Sequence, residues 1–256
     1  MKKKFDLRII VIITILMMGI CGCTINNTKS PNNIDSKVTL NERQKSILAE
    51  EGLPTDYEEL NRTQKAAIVA IEEMLEAIET KYGMEFCYAG YIQANVLESE
   101  TLIAYPAGGT ASIDSFSITR SSDGTLTDDY MNVALRAGYS ELVLSLAKDA
   151  LSSENVKVFV EVTKTTLTSV PDTEEQLVGN VEGISLIFID GSIMSSEQFG
   201  TFVSSMKQIF EEKQMYGTVN IILLNDDTLK NLAQNNYTDY LDPSCYTERD
   251  SIHIKK

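Results

Sequence analysis

The chain has 256 residues, with 37 Asp or Glu against 22 Lys or Arg, and its formal net charge is −15. This balance excludes nucleic acid as a natural partner, because neutralising phosphates requires clustered Lys and Arg. Hydrophobic residues make up 43% of the chain, enough for a sizeable core in one large domain or two small ones.

The first residues have the pattern of an export signal. Lys2, Lys3, Lys4 and Arg8 precede an apolar run over residues 9–20. A membrane-spanning helix needs about 20 apolar residues, so this run is too short to cross a bilayer. It fits the apolar region of a signal peptide, which has about 7–15 residues after a positively charged start.

The apolar run ends at Ile20-Cys21-Gly22-Cys23, which resembles the lipobox of bacterial prolipoproteins. The resemblance implies cleavage after Gly22, a diacylglycerol thioether on Cys23, and a cell-membrane protein that faces outside the cytoplasm. Cys21 is a poorer candidate for modification, because the bulky Ile20 stands where a small residue is needed. Two alternatives remain open: a secretory signal without lipid, and an uncleaved membrane anchor.

Processing would make the chain more acidic. Removing residues 1–22 takes away four basic residues and one acid, and leaves 18 basic and 36 acidic residues with a net charge of −18. Partners attracted over distance would then be cationic, and a cationic peptide or protein is the partner that we expect. The simpler alternative is that the charge only keeps an exported protein soluble.

The domain prediction follows from composition and from the order of elements. Residues 1–22 are the expected signal peptide, and the polar segment 23–39 is an expected flexible tether. We predict α+β subdomains over 40–165 and 166–256, which could equally form one composite domain. Helices are expected on one face of a largely antiparallel sheet or sheets.

The first predicted elements are helical. Thr39 and Glu42 have the capping-box spacing before a short helix that ends near Glu51, and Thr55 and Glu58 repeat that spacing. The remaining predicted elements follow in chain order: a helix over 63–81, strands over 86–93, 101–105 and 113–119, a helix over 129–151, a strand over 156–163, a loop over 164–182, a strand over 184–190, a helix over 196–213 capped by Ser195 and Gln198, a strand over 219–224, a short helix over 226–233 and a strand over 251–254.

Part of the mature chain also has a family resemblance. The stretches LPTDYEEL (53–60) and AIVAIEEMLEAIETKYG (67–83) are similar to the corresponding part of uncharacterised lipoproteins from Gram-positive bacteria. The resemblance implies the same location at the membrane and implies no particular chemistry.

No motif identifies a reaction or a cofactor. His253 is the only histidine, and a pair with Cys245 or Cys87 would lack the third group that orients a catalytic base. The two cysteines could form one disulfide or remain buried thiols. Acid doublets are too frequent to identify a catalytic pair, although a carboxylate hydrolase remains an alternative. We therefore name no catalytic, cofactor-binding or metal-binding residue, and Cys23 is the one predicted modification site.

Two groups of residues are weak candidates for a binding site. Calcium prefers oxygen ligands, and the last part of the chain supplies several close in sequence: Asp226, Asp227, Asn235, Asn236, Asp239 and Asp242. Tyrosines around the predicted strands could form a binding face, although cross-strand packing is the more ordinary explanation: Tyr82, Tyr88, Tyr91 and Tyr105. We expect a non-enzymatic binding or accessory lipoprotein, with a carboxylate hydrolase or a structural module of an envelope complex as alternatives.

Overall fold

The computed structural model describes residues 39–256. The predicted signal peptide, the lipid site at Cys23 and nearly all of the tether lie outside these residues. Within the described part, no helix has the length and apolar character needed to cross a membrane.

Helices and two separate four-stranded sheets make up the fold, which confirms the α+β prediction. The helices are α1 Glu42–Glu50, α2 Arg62–Tyr82, α3 Ala111–Asp114, α4 Tyr130–Ala134, α5 Arg136–Leu151 and α6 Ser196–Glu212. The strands are β1 Phe86–Ile92, β2 Glu100–Pro106, β3 Phe116–Arg120, β4 Leu126–Asp128, β5 Val156–Thr165, β6 Val181–Ile189, β7 Tyr216–Leu224 and β8 Tyr246–Ile254. The strand orders are β1-β2-β3-β4 and β5-β6-β7-β8.

The chain forms two compact units, and they divide at a different place from the one predicted. Unit 1 contains the chain up to Ala111 together with Ser117–Thr127, and unit 2 contains Ser112–Phe116 and Asp128–Lys256. We predicted a boundary after residue 165. The structure has none there, because β5 and β6 flank that position and pair antiparallel along their length.

Unit 1 is held together by α2. Its apolar side chains Ile68, Ile71, Leu75 and Ile78 are buried, as the helical spacing predicted, and α2 lies against β1 and β2. Gly83 ends the helix in the left-handed conformation, with φ of 67°. The sheet therefore covers one side of the helix that the sequence indicated most clearly.

An arginine fixes α1 to α2. Arg43 Nη2 lies 2.7 Å from Glu72 Oε1, and Arg43 Nη1 lies 2.6 Å from Glu79 Oε1. Glu79 also accepts a hydrogen bond from the backbone N–H of Phe86 at the start of β1. One guanidinium thus links two helices, and through Glu79 it reaches the sheet. The hydrogen bond to Glu72 is the main cause that raises the pKa of Arg43 above its ordinary value, against the effect of burial.

The helix caps correct part of the sequence analysis. Asn41 and Asn61 cap α1 and α2, each in a reciprocal pair with a glutamine three residues later. The predicted boxes at Thr39 and Thr55 are wrong, because Asn41 takes the N-cap of α1 and Asp56 takes that of the short 3-10 turn after Thr55. Asparagine and aspartate accept such a hydrogen bond as well as serine or threonine does. The predicted box of Ser195 and Gln198 on α6 is confirmed.

In unit 2, helices α5 and α6 pack on the sheet, while an irregular segment over residues 225–245 covers apolar side chains of the sheet. Leu229 and Leu232 of this segment join a buried cluster with sheet residues Phe159, Leu186, Phe188, Ile222 and Leu224. In β5, Lys157 and Glu161 alternate with valines and lie on the opposite face of the strand. Lys157 Nζ donates to the carbonyl of Leu232 at 2.7 Å, so this face of the sheet is also packed.

The central strands of unit 2 approach closely at two glycines. Gly183 of β6 lies opposite Gly217 of β7 in a parallel register, and Gly217 has φ of 122°. A Cβ on Gly217 would lie 1.9 Å from the carbonyl oxygen of Gly183, and a Cβ on Gly183 would lie 2.7 Å from that of Glu161. Side chains are therefore excluded where β5, β6 and β7 come together.

We expect Gly217→Ala to lower the free energy of unfolding by about 3 kcal/mol or more, because both the positive φ and the carbonyl of Gly183 oppose a side chain. Gly200→Ala is the matched control, since a Cβ on Gly200 in α6 meets nothing within 4 Å and removing a helical glycine stabilises by about 0.5–1 kcal/mol. Urea denaturation measures both. A Gly217→Ala protein as stable as the parent would contradict the close approach.

Candidate functional site

Unit 2 contains a cleft of about 450 Å³, within the size range of small-ligand sites. It is bordered by the α3 region, α4, the first turn of α5, β5 and the segment 225–245. The lining residues are Ser112, Ile113, Ser115, Phe116, Asp129, Asn132, Val133, Arg136, Val160, Glu161, Val162, Gln234, Asn235, Tyr237 and Thr238. Valine and phenylalanine side chains supply apolar wall, and amides, hydroxyls and three charged groups supply polar contacts.

Arg136 is fixed at one side of the cleft. Its Nη1 donates to the carbonyl oxygen of Ile113 at 2.9 Å and lies 3.2 Å from Asp114 Oδ1. The side chain is 21% exposed, so its remaining N–H groups are only partly accessible. Because Asp114 offsets its charge, Arg136 does not make the cleft a strong anion site.

Tyr237 and Glu161 form the other side. The Tyr237 ring stacks on Phe159, with centroids 4.8 Å apart and an interplanar angle of 11°. Its hydroxyl donates to Glu161 Oε1 at 3.1 Å. Burial, and after it the charge of Glu161, raises the pKa of Tyr237, while Arg136 acts in the opposite direction. The stack and the hydrogen bond hold the Glu161 carboxylate at the mouth of the cleft.

Three side-chain amides give the cleft its capacity for hydrogen bonds. Asn132 lies on α4, and Gln234 and Asn235 lie on the segment 225–245. Across residues 39–256, none of these amides makes a hydrogen bond to another protein group. Each can donate and accept, so together they can pair with the amide groups of a peptide backbone while Glu161 pairs with a cation.

Unit 1 has a larger but shallower basin of about 730 Å³. Its charged groups are largely paired with one another: Arg120 contacts Glu73 at 3.2 Å and Glu100 at 3.0 Å, and Lys65 lies 4.7 Å from the centroid of the Tyr57 ring. A ligand there would have to displace ion pairs from a wide, open surface. We therefore take the cleft of unit 2 as the candidate site.

The tyrosines considered from the sequence do not form one face. Tyr88 donates to Glu51, and Tyr91 donates to Glu100. Tyr105 pairs across the strands with Cys87, at a register where the side chains point away from the side of Tyr88. The idea of a tyrosine-rich binding sheet is therefore not supported.

Within unit 2, Cys245 and His253 are separated. Cys87 and Cys245 are free thiols. Cys245 immediately precedes β8 and His253 lies near its end, so about eight residues of extended chain, or roughly 25 Å, separate them. His253 Nδ1 instead lies 3.3 Å from the hydroxyl of Thr218. Cys245 and His253 thus cannot form a catalytic dyad.

The acids considered as calcium ligands have local structural roles. Asp242 accepts from the backbone N–H of Ser244, and Asn236 accepts from that of Ala233. Within residues 39–256, no three or more His, Cys, Asp or Glu side chains converge as a metal site would require.

Arg136 and Glu161 lie on α5 and β5, which the sequence predicted correctly or nearly so, whereas Tyr237 lies in a stretch for which no element was predicted. The cleft depends on how the segment 225–245 folds back over β5. The one signal in the sequence was the polar run over residues 234–238, which is rich in amides and lies between β7 and β8.

Comparisons with known proteins add little. Neither the family models nor the curated proteins gave a match. Among solved structures, the chain is similar to a DUF5037 family protein from Ruminococcus gnavus ATCC 29149, with 12% identity and a TM-score of 0.34 over 63% of this chain and 78% of that one. A likeness this weak carries no argument about function.

We expect Glu161→Gln to lower the pKa of Tyr237 while leaving it above the ordinary tyrosine value, because the neutral amide removes the charge but not the burial. A pH titration followed by the ¹³Cζ resonance of Tyr237 measures this. Glu141→Gln, an exposed change on α5 outside the cleft, should leave the resonance unchanged. An unaltered Tyr237 titration in Glu161→Gln would show that the two groups do not interact.

Proposed function

We propose that this protein is a lipid-anchored lipoprotein on the outer face of the cytoplasmic membrane, and that it binds a peptide or protein partner without catalysis. The cleft of unit 2 would receive an extended, cationic peptide segment. The observation that carries this proposal is the combination of three unpaired amides with the Glu161 carboxylate in one cleft. The lipobox-like sequence ending at Cys23 supports the location.

The charge of the chain supports a cationic ligand. A net charge of −18 on the processed chain favours encounter with basic groups. Within the cleft, the charge of Arg136 is offset by Asp114, whereas Glu161 accepts a hydrogen bond from the neutral phenol of Tyr237. A lysine or arginine side chain would therefore find an uncompensated carboxylate at Glu161.

The carboxylate-hydrolase alternative requires an acid with a raised pKa in a cleft. Four described carboxylates have displaced pKa values, and all four are lowered: Asp123, Glu175, Asp190 and Asp242. Hydrogen bonds from neighbouring hydroxyl and backbone N–H groups cause the lowering, as for Asp123, whose pKa falls to about 2 beside Ser121. None of the four lines the cleft, so this alternative gains no support.

The lipid anchor is tested at Cys23. We expect the full chain to incorporate labelled palmitate in a bacterial host and to partition with membranes, because two or more acyl chains give stable anchoring. Cys23→Ser should abolish both the label and the cleavage after Gly22. Cys21→Ser is the control and should be labelled normally. Label retained in Cys23→Ser and lost in Cys21→Ser would place the modification at Cys21.

The cleft is tested with a pool of random hexapeptides and full-length protein in detergent. Mass spectrometry of the retained peptides should show Lys and Arg enriched about tenfold at low ionic strength, because a partly desolvated ion pair contributes roughly that factor. The enrichment should fall in about 0.5 M salt, which screens exposed charges.

Two variants separate the possible results. Glu161→Gln should abolish the basic preference, and Glu141→Gln, which removes an equal charge elsewhere, should preserve it. Retention of peptides without any basic preference would leave a peptide-binding cleft but refute the role of Glu161. Retention of no peptide at all would refute the proposed function of the cleft.

A further inference from the structure

The loop between β1 and β2 exposes two adjacent apolar side chains. Val96 and Leu97 have relative exposures of 101% and 91%, so neither is covered by any part of residues 39–256. Other large apolar side chains that are exposed in the described chain are less so, the next being Val170 at 60%. A valine and a leucine side by side at full exposure are unusual, because burying either one is favourable.

The loop holds these side chains in a defined turn. Asn95 Oδ1 accepts from the backbone N–H groups of Leu97 at 2.8 Å and Glu98 at 3.0 Å. The backbone N–H of Asn95 donates to the carbonyl of Glu98 at 3.0 Å, and its Nδ2 donates to the Glu98 carboxylate at 2.9 Å. Asparagine commonly stabilises turns in this way. The apolar pair is therefore presented by a pre-organised turn, which lowers the entropy lost on binding.

The surroundings of the pair indicate what could cover it. Residues 93–99 contain no Lys, Arg, Trp or Tyr, the residue types that anchor protein segments at a lipid surface. Glu98 is exposed next to Leu97, and an acid at this position is repelled by anionic lipid. Two copies meeting tip to tip would bring their Glu98 carboxylates together, which is also unfavourable.

We infer that the Val96–Leu97 tip is a docking element for a second protein, and that it inserts into an apolar pocket bordered by Lys or Arg. The pocket would bury both side chains, and its basic border would pair with Glu98. This inference concerns unit 1 and is independent of the cleft in unit 2.

The test uses the full-length protein in its producing cells, with Ser99→p-benzoylphenylalanine as a photo-crosslinker beside the tip. Irradiation should give one crosslinked protein, and mass spectrometry should map the crosslink to an apolar segment flanked by Lys or Arg. Adding Leu97→Ser should reduce the yield about tenfold, the effect of losing one well-buried leucine. Val170→Ser, which removes another exposed valine, should not change the yield.

Asn95→Ala keeps both apolar side chains and removes the turn contacts, so it should reduce the yield less than Leu97→Ser does. Four results would overturn the inference. They are crosslinks to lipid, crosslinks to a second copy of the chain, no crosslink, and a yield that is insensitive to Leu97→Ser.

Discussion

The close approach of three strands at Gly183 and Gly217 is the constraint on which unit 2 depends. A Cβ on Gly217 would clash with the carbonyl of Gly183, so a glycine is required at this point of the parallel pair of β6 and β7, which α6 connects. On the other side, Gly183 lies opposite Val162, directly before an irregularity in the pairing of β5. Such irregularities redirect side chains, and this one follows the part of β5 that lines the cleft.

The shape of the cleft therefore depends on the close backbone packing of β5 and β6 as well as on the side chains that line it. Glu161 pairs with Ile184, one residue before the Val162–Gly183 pair on β5, and its carbonyl oxygen is the atom nearest to a Cβ built on Gly183. The segment 225–245 then closes the same face through its leucines and through the stack of Tyr237 on Phe159. The amides of Gln234 and Asn235 reach the cleft because the buried cluster around Leu229 and Leu232 holds the segment 225–245 in place.

Periodicity predicted the elements well, but it could not predict what covers them. The apolar spacing of α2 and the alternation of β5 identify correct elements, since both patterns are set by local geometry. The helix predicted over 129–151 is in fact divided at Leu135 between α4 and α5. The pattern of β5 places Glu161 opposite the valines but cannot show what covers that face, because the covering segment is distant in sequence and has no regular period. The caps at Asn41 and Asn61 do not match the Ser/Thr capping-box pattern, because asparagine fills the same role with its amide oxygen.

The short piece Ser112–Phe116 interrupts the sequence of unit 1, yet it belongs to unit 2 and forms one wall of the cleft. Neither unit is therefore a continuous stretch of the gene. A recombination event that exchanged everything after residue 127 would replace the sheet of unit 2 but keep the original residues 112–116, which line the cleft. The two units can diverge by point mutation, but they cannot be shuffled as separate modules without breaking the cleft, so the cleft and unit 1 are inherited together.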